Sequence, residues 1–429
     1  MPAPETLPTP PTQISPTPRH RSSFAALRHR DFRLLWLGQL ISGTGSQMQL
    51  VAINWHVYLL TKSPLALGMV GLVRVLPIIV CSLVGGVVAD AVDRKRLLLV
   101  TQTMMLVSAA LLALITAHGL ESVWPIYLLT AMSGAATAFD NPARQALMPA
   151  LVPAAEFSNA VSLWLIVFQL AMVIGPALGG LLLGAYSPAL VYATNALSFL
   201  AVIVALLLMR TSGRAVDEQN EASRVSLDAL KEGLRFVWRT PIIVQTMTLD
   251  FVATFFASAT ALLPIFAVEI LHVGEFSYGM LAAAPAVGAV VAALVMARFG
   301  PLRRQGLVVI VSVAVFGAAT VAFGYSRVFW VSLLMLAVVG AADTVSTVLR
   351  QTIRQLVTPD RLRGRMTSVN MIFFMSGPQL GELEAGVLAA VIGAPLSVVT
   401  GGLGCLIGVV IACFVSKELL DYRDPSETR

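Results

Sequence analysis

The residues of this sequence whose types could do chemistry are acids set inside long apolar runs. Glu382 and Glu384 stand in GPQLGELEAG, from Gly377 to Gly386, within an otherwise apolar stretch from Met371 to Cys413. Asp250 stands in TLDFVATFF, and Asp140 and Asp343 occupy two further runs. A carboxylate at the centre of a bilayer costs roughly 2.5 to 3.5 kcal/mol on insertion scales, so an acid kept there points to proton carriage, ion pairing or substrate contact. Counted from Ile242 at 1.5 Å per residue, Asp250 lies about 12 Å into its run, a depth that suits an acid carrying a proton from one side to the other. Asp343 is a second cavity acid, and Asp140, four residues before Arg144, is a structural or gating pair with it. The proton-coupling candidates are therefore Asp250, Glu382, Glu384 and Asp343.

Such acids need apolar elements to hold them, and composition supplies these. The 429 residues are 57% hydrophobic and 12% charged, with mean hydropathy +0.81, too few charges to clothe a soluble globule. Three cysteines, Cys81, Cys405 and Cys413, lie in apolar runs without ligand or disulfide spacing, and no metal site is expected. The net charge of +6 is not gathered on one soluble face, which argues against a nucleic-acid partner. Neither a G-x-x-x-x-G-K-[ST] loop nor H-E-x-x-H is present, no cofactor is implied, and an enzyme is not expected.

Apolar runs long enough to cross a core about 30 Å thick recur along the chain. They read as Leu34 to Leu59, Ala66 to Ala89, Leu97 to His118, Val123 to Leu147, Asn159 to Gly184, Pro188 to Arg210, Ile242 to Ile270, Ser277 to Phe299, Gly306 to Tyr325, Phe329 to Arg350, Thr367 to Ile392 and Leu396 to Ser416. The expected fold is an all-α integral membrane protein of twelve transmembrane helices in two six-helix pseudo-repeats. Its parts are a disordered tail (1–30), an N-terminal half (31–210), a connector with an amphipathic helix (211–240), a C-terminal half (241–418) and a tail (419–429). All but three of the 29 lysines and arginines fall in the terminal segments and alternate loops, which puts both termini in the cytoplasm. The exceptions are Lys62 and Arg327 in the other loops and Arg74, the one cation this reading leaves inside a span. Residues 1–30 hold no apolar stretch for a signal peptidase and are proline-rich, so they read as a tail rather than a leader.

The halves repeat. Gly134, Ala135, Ala136, Arg144, Gln145 and Pro153 recur as Gly340, Ala341, Ala342, Arg350, Gln351 and Pro359, and GPALGGLLLG at Gly175 matches GPQLGELEAG at Gly377 in six places of ten. Parallel six-helix repeats of this kind place a substrate site near the midplane, between halves that rock. Its lining is sought in polar stripes: Gln39, Ser42, Ser46 and Gln49 share one face of the first span, and Thr246, Asp250 and Thr254, beside Phe251, Phe255 and Phe256, share one of the seventh. An acid among aromatic rings suits a cationic or conjugated substrate.

These residues resemble the major facilitator superfamily. GVVADAVDRKR is similar to its loop motif between the second and third helices, with Gly86, Asp90, Arg94 and Lys95 in place. GPALGG, with Gly175, Pro176, Gly179 and Gly180, is similar to the core of its antiporter motif, although Ala171 stands where that motif has a further glycine. LRHRDFRLLW, FDNPARQALMPALVP and TPDRLRGRMTSVN resemble the branch of enterobactin exporters, macrolide-efflux proteins and transmembrane secretion effectors. The resemblance implies a monomeric, multi-pass protein of the cell (inner) membrane that exports a small hydrophobic or siderophore-like compound against proton entry. A lipid or lysolipid flippase, a proton-symport importer and a non-transporting scaffold or receptor are the rival readings.

It also implies that the second and eleventh helices meet across the two halves. Taking outer ends at Leu65 and Gly393, Arg74 and Glu384 both lie about 13 Å deep and Glu382 about 16 Å. An ion pair there desolvates each charge less severely than isolation would, and the reading makes it an outer gate. The glutamates point roughly 200° apart, so one of them faces Arg74. Depth favours Glu384; repeat register, which sets Glu382 opposite Gly180, favours Glu382.

Overall fold

In a computed structural model, the protein is described over residues 24–119, 122–211, 227–257, 260–299, 303–359, 362–420 and 422. For 82–87, 89–91, 227–231, 233, 299, 364–365, 368–369, 371–376 and 417, only the backbone is described. The tail before residue 24, most of the connector, residues 423–429, the surroundings of Gly86 and the side chain of Asp90 thus lie outside what is described.

The described chain is helical almost throughout, as the apolar runs require, since helices satisfy their own backbone bonds where water is absent. In order come α1 (Arg30–Thr61), α2 (Pro64–Ala91), α3 (Arg94–Ala117), α4 (Trp124–Leu147), α5 (Phe157–Ala185), α6 (Pro188–Leu208) and the connector helix α7 (Leu227–Arg239). The second half holds α8 (Pro241–Phe256), α9 (Glu275–Phe299), α10 (Gln305–Tyr325), α11 (Phe329–Val357), α12 (Arg363–Ile392) and α13 (Ala394–Val415). Local sequence sets their starts: proline opens α2, α6 and α8, and Asp93 caps α3 by accepting from the Arg96 N–H at 3.1 Å. Among the described residues, nine helices are long and apolar enough to cross a membrane. α1, α4 and α12 have the length, 32, 24 and 30 residues, and carry the polar side chains described below.

Two boundaries depart from the apolar runs. The seventh run is broken: α8 ends at Phe256, and the chain continues through a 3-10 turn (Thr260–Leu262), one α turn (Leu263–Ile265) and a π-helical turn (Phe266–Ile270). α11 continues seven residues beyond Arg350, to Val357, which puts Arg350 and Arg354 inside a helix. Arg144 likewise lies inside α4. The expectation that Arg74 is the one intrahelical cation is therefore corrected. Arg144, Arg350 and Arg354 are 5%, 0% and 3% exposed, because acids and amides on neighbouring helices offset the cost of burying them.

Within the first half α1 packs on α5 and α6, α2 on α4, and α3 on α4 and α6; within the second, α9 packs on α11, and α10 on α11 and α13. The halves meet chiefly along α5 with α9 and α2 with α12. Glycines make both crossings close, and the repeat relates them. Gly279 of α9 lies on Pro176 and Gly180 of α5, while Gly68 of α2 lies on Glu382 and Gly386 of α12. Gly175 and Gly179 turn the other way, onto Gln47 and Met48 of α1, so the GPALGG motif wedges α5 between α1 and α9. The repeated Gly134 and Gly340 play matching parts, against the carbonyls of Arg74 and Pro285.

The buried cores show how the halves stand. One cluster joins them at the Lys62 end, from Met48 to Tyr192 on one side and Leu262 to Val398 on the other. Toward the arginine-rich end the core divides in two. Phe32, Leu98, Leu147 and Val202 belong to a first-half cluster, and Ile243, Val309, Ile353 and Val409 to a second-half cluster. At the joined end, Tyr58 donates to Glu269 at 2.8 Å, Tyr278 donates to the Val51 carbonyl at 3.1 Å, and Trp55 stacks on Tyr278 with centroids 5.0 Å apart.

The α5/α9 crossing generates a first prediction. A methyl at Gly180 would sit 2.6 Å from Gly279 Cα, whereas at Gly184 the nearest atoms are 3.6 Å away. Gly180→Ala is expected to cost about 1–3 kcal/mol through overpacking. Gly184→Ala is expected to melt like the parent in a detergent unfolding assay, and equal melting of both variants would contradict the crossing.

Candidate functional site

Asp250, Asp343 and Arg350 form one connected cluster between α8 and α11 in the second half. Arg350 lies with Nη2 2.7 Å from Asp250 Oδ1 and 3.9 Å from Asp343 Oδ1, and donates to Thr347 Oγ1 at 3.0 Å. Thr347 approaches Asp343 at 3.5 Å. Asp250 is almost wholly buried, whereas the Asp343 side chain is 48% exposed, so one guanidinium is shared between an enclosed acid and an open one. Arg354 lies one turn further along α11, and its Nη1, with Nε and Nη1 of Arg350, has no partner among the described residues. Asp250 is thus a paired acid rather than a lone carboxyl in a cavity.

The first half carries the repeat counterpart. Arg144 of α4 donates to Asp140 through Nε at 3.1 Å and again through Nη2, and to Gln39 Oε1 of α1 through Nη1. Asp140 also accepts from Thr101 at 2.9 Å and Gln102 at 2.8 Å of α3, and Arg144 lies 5.6 Å from the Trp164 ring centroid. Here the acid belongs to the arginine's own helix and every charge is enclosed.

The polar stripe of α1 divides between two tasks. Gln39 holds Arg144, and Ser46 donates to the carbonyl of the buried Ser42. Gln49 accepts from Asn195 at 2.7 Å and, with Ser46, Arg74, Thr130, Ser133 and Thr137, lines a cavity of about 100 Å³ within the first half. On α8, Thr246 and Thr254 return their hydroxyls to the carbonyls of Ile243 and Asp250.

The two glutamates of α12 face different surroundings. Glu382 Oε2 lies against Gly71 of α2, and Oε1 accepts from Thr260 at 3.3 Å. The Arg74 charge acts on Glu382 at longer range, and among the described residues no ion pair within 4 Å joins Arg74 to either glutamate. Glu384 turns into an apolar cleft of about 420 Å³ with Phe255, Leu383 and the exposed Val387 and Val391. Phe255 stacks on Phe251 at 5.5 Å. Glu382 is therefore the glutamate turned toward α2.

The basic half of the loop motif closes helix ends. Arg94 donates to the Ala146 carbonyl of α4 at 2.9 Å, and Lys95 to the Met209 carbonyl just beyond α6 at 2.7 Å. Cations at helix C-termini complement the partial negative charge there. No group of three metal-ligating side chains occurs among the described residues.

Residues 21–427 match the family described as transmembrane secretion effector. The chain belongs to that family. The multidrug efflux pump Tap of Mycolicibacterium fortuitum is 26% identical over 398 residues, covering 90% of this chain and 95% of that protein. The enterobactin exporter EntS of Escherichia coli (strain K12) is 26% identical over 395 residues, covering 92% and 94%. Among solved structures, a bacterial homolog of the human lysosomal transporter Spinster, inward-facing and unoccupied, superposes with TM-score 0.74 at 13% identity, covering 92% of this chain and 99% of its own. A mutant of the nucleoside transporter NupG superposes with TM-score 0.72 at 10% identity, covering 90% and 99%. This transmembrane secretion effector is accordingly a transporter of the major facilitator superfamily, a multi-pass protein of the cell membrane and not an enzyme.

Sequence spacing paired Arg144 with Asp140 but missed that Arg350 is a site residue, although both arginines stand at equivalent places in the repeat. That coincidence was the available signal, because a loop arginine has no reason to keep repeat register. Tyr58, Glu269 and Tyr278 gave no pattern to read, since partners more than 200 residues apart meet only in the folded secretion effector.

The Asp250–Arg350 pair yields a stability prediction. Asp250→Ala leaves a guanidinium buried without its nearest carboxylate and is expected to cost about 3–5 kcal/mol. Replacing both partners, as Asp250→Leu with Arg350→Met, is expected to recover most of that loss in detergent melting curves. A double variant no more stable than the single one would show that the pair does not act as a unit.

Proposed function

We propose that this transmembrane secretion effector is a proton-coupled exporter of a small hydrophobic or siderophore-like compound, working by alternating access in the inner membrane. The observation that carries the reading is the division of the core: one shared core at the Lys62 end and two separate cores toward the arginine-rich end. Halves sealed at one end and parted at the other correspond to one state of a rocking pair. On this reading α1, α4 and α12 cross the membrane with the nine more apolar helices, giving twelve spans, and the arginine-rich end and both termini are cytoplasmic. The molecule then stands inward-facing, and Tyr58, Glu269, Tyr278 and Trp55 close its outer side.

Export is supported by the names of the relatives, an efflux pump and siderophore exporters. Proton coupling is supported by the acids. Asp343 faces the parted end and competes with Asp250 for Arg350, so protonating either carboxylate hands the guanidinium to the other. Glu382 stands at the α2/α12 crossing, which must slide when the halves rock, and the Arg74 charge bears on it. This makes Asp343 and Glu382 the coupling acids, Asp250 the fixed partner of Arg350, and Arg74 with Glu382 the outer gate. The cleft around Glu384 favours one second reading, lipid or lysolipid translocation, because a carboxyl among apolar and exposed side chains suits an amphiphile.

Purified protein in vesicles with an imposed pH gradient tests the reading. Cargo-dependent proton flux is expected for the parent, with proton-driven accumulation lost in Asp343→Asn and Glu382→Gln and retained in Glu384→Gln. Retention by both of the first two variants would remove proton coupling through these acids. Transfer of fluorescent lysolipid without proton flux would favour the second reading, and no flux of any kind would favour a scaffold.

A further inference from the structure

Arg74 belongs to neither charge cluster. It stands on α2 and lines the cavity between α1, α3, α4 and α6. No hydrogen bond and no ion pair within 4 Å reaches it from the described residues. Glu382, the acid whose field it feels, directs Oε1 to Thr260 instead. A guanidinium carries five N–H donors, and holding them inside an apolar bundle is costly unless an acceptor meets them. A second, independent group is in the same position. Thr130 of α4 is 6% exposed, lines the same cavity, and its Oγ1 has no hydrogen-bond partner among the described residues.

Other polar groups of the wall are already engaged, although among the described residues the Ser133 hydroxyl meets no partner. Thr137 donates to the Ser133 carbonyl at 2.8 Å, and Asn195 donates to Gln49 at 2.7 Å. One permanent cation, the buried Thr130 hydroxyl and the Ser133 hydroxyl thus converge on a space of about 100 Å³, room for a compact polar head and not for a whole drug-sized molecule. The rest of the wall is apolar, with Leu50, Ile53, Met105 and Phe199. That mixture suits the acidic end of an organic molecule better than a free inorganic ion, whose hydration the apolar wall could not replace.

We propose that this cavity is an anion subsite, in which Arg74 is the counter-ion and Thr130 a hydrogen-bond donor to the carboxylate or acidic phenol of an amphipathic aromatic cargo. The inference rests on the export reading only in naming the anion as cargo. A planar guanidinium offers two parallel N–H bonds to a carboxylate, which fixes the head while the apolar body extends along Phe199 and Met105. The preference is for acidic or zwitterionic cargo over purely cationic cargo, a narrower class than hydrophobic compounds at large. Arg74 also links the subsite to the interface between the halves, because the guanidinium that meets the cargo is the one whose charge reaches Glu382.

Calorimetric titration of the full-length protein in detergent is the test, with 2-naphthoate as probe, 2-naphthamide as its neutral isostere, and inorganic phosphate. Naphthoate is expected to bind at least tenfold more tightly than naphthamide. Arg74→Gln is expected to lower naphthoate affinity by at least tenfold, Arg74→Lys by less, and Thr130→Val by about threefold. Thr130→Val keeps the test alive if removal of Arg74 impairs folding, because it replaces a hydroxyl by a methyl of the same size. Absence of naphthoate binding, equal binding of the amide, unchanged affinity in Arg74→Gln and Thr130→Val, or binding of phosphate as tight as naphthoate would each overturn the proposal. Because the readout is binding, naphthoate selectivity without proton flux in vesicles would sink the export reading and leave the subsite standing. Proton flux with an unaltered Arg74→Gln titration would do the reverse.

Discussion

An arginine inside an apolar bundle must bring its counter-charge with it, and the arrangement of each half depends on that constraint. The fourth helix of each repeat carries a buried arginine at the same register, Arg144 and Arg350. Each guanidinium ties that helix to the first helix of its own half, through Gln39 of α1 in one case and Asp250 of α8 in the other. The difference lies in the nearby acids. Arg144 has Asp140 one turn away on its own helix, with Thr101 and Gln102 satisfying the carboxylate. Arg350 divides its attraction between Asp250 and the half-open Asp343, and several of its donors are unmatched. The first cluster is a closed strut. The second has two arrangements within reach, which is what a switching element requires.

The mechanical side follows from small residues. Helices cross closely where Gly180 meets Gly279 and where Gly68 meets Gly386, and at those two points the halves touch backbone to backbone. Contacts of that kind can pivot without unpacking a core. The cost of separation is concentrated at the Lys62 end, where Trp55, Tyr58, Glu269 and Tyr278 interlock. Opening that end means breaking two hydrogen bonds and an aromatic stack together, a discrete event rather than a gradual one.

Much of the fold was legible in the sequence because its cause is local. Apolar length fixed nearly every helix to within a few residues, and the amphipathic connector helix lies where Leu227 to Val237 are spaced for it. The failures have physical reasons. The break after Phe256 interrupts a run that is apolar on both sides, so hydropathy carried no trace of it. The continuation of α11 past Arg350 was hidden because arginine reads as a loop residue unless its partner is known, and that partner, Asp250, is 100 positions away in the chain. In the site, repeat register and depth pointed to different glutamates, and Glu382 is the one that lies against α2. Packing follows the register because the helix face that meets α2 is set by the crossing glycines, whereas depth is shared by every side of the helix.

The position equivalent to Gly180 is Glu382, and this single departure from the repeat separates the two interfaces between the halves. At α5/α9 the contact itself is glycine on glycine, with Glu275 one turn away beside Gly184. At α2/α12 a glutamate lies against Gly71, with Thr260 on one oxygen and the field of Arg74 across the helix pair. Two halves related by a repeat would otherwise rock on two similar pivots with no chemical bias between end states. Placing an ionisable group within the α2/α12 contact itself makes the relative position of the halves depend on what that group binds. On the proposed reading, this asymmetry is where proton and cargo meet: Glu382 takes the one, Arg74 the other, and a change at either alters the attraction across the same crossing.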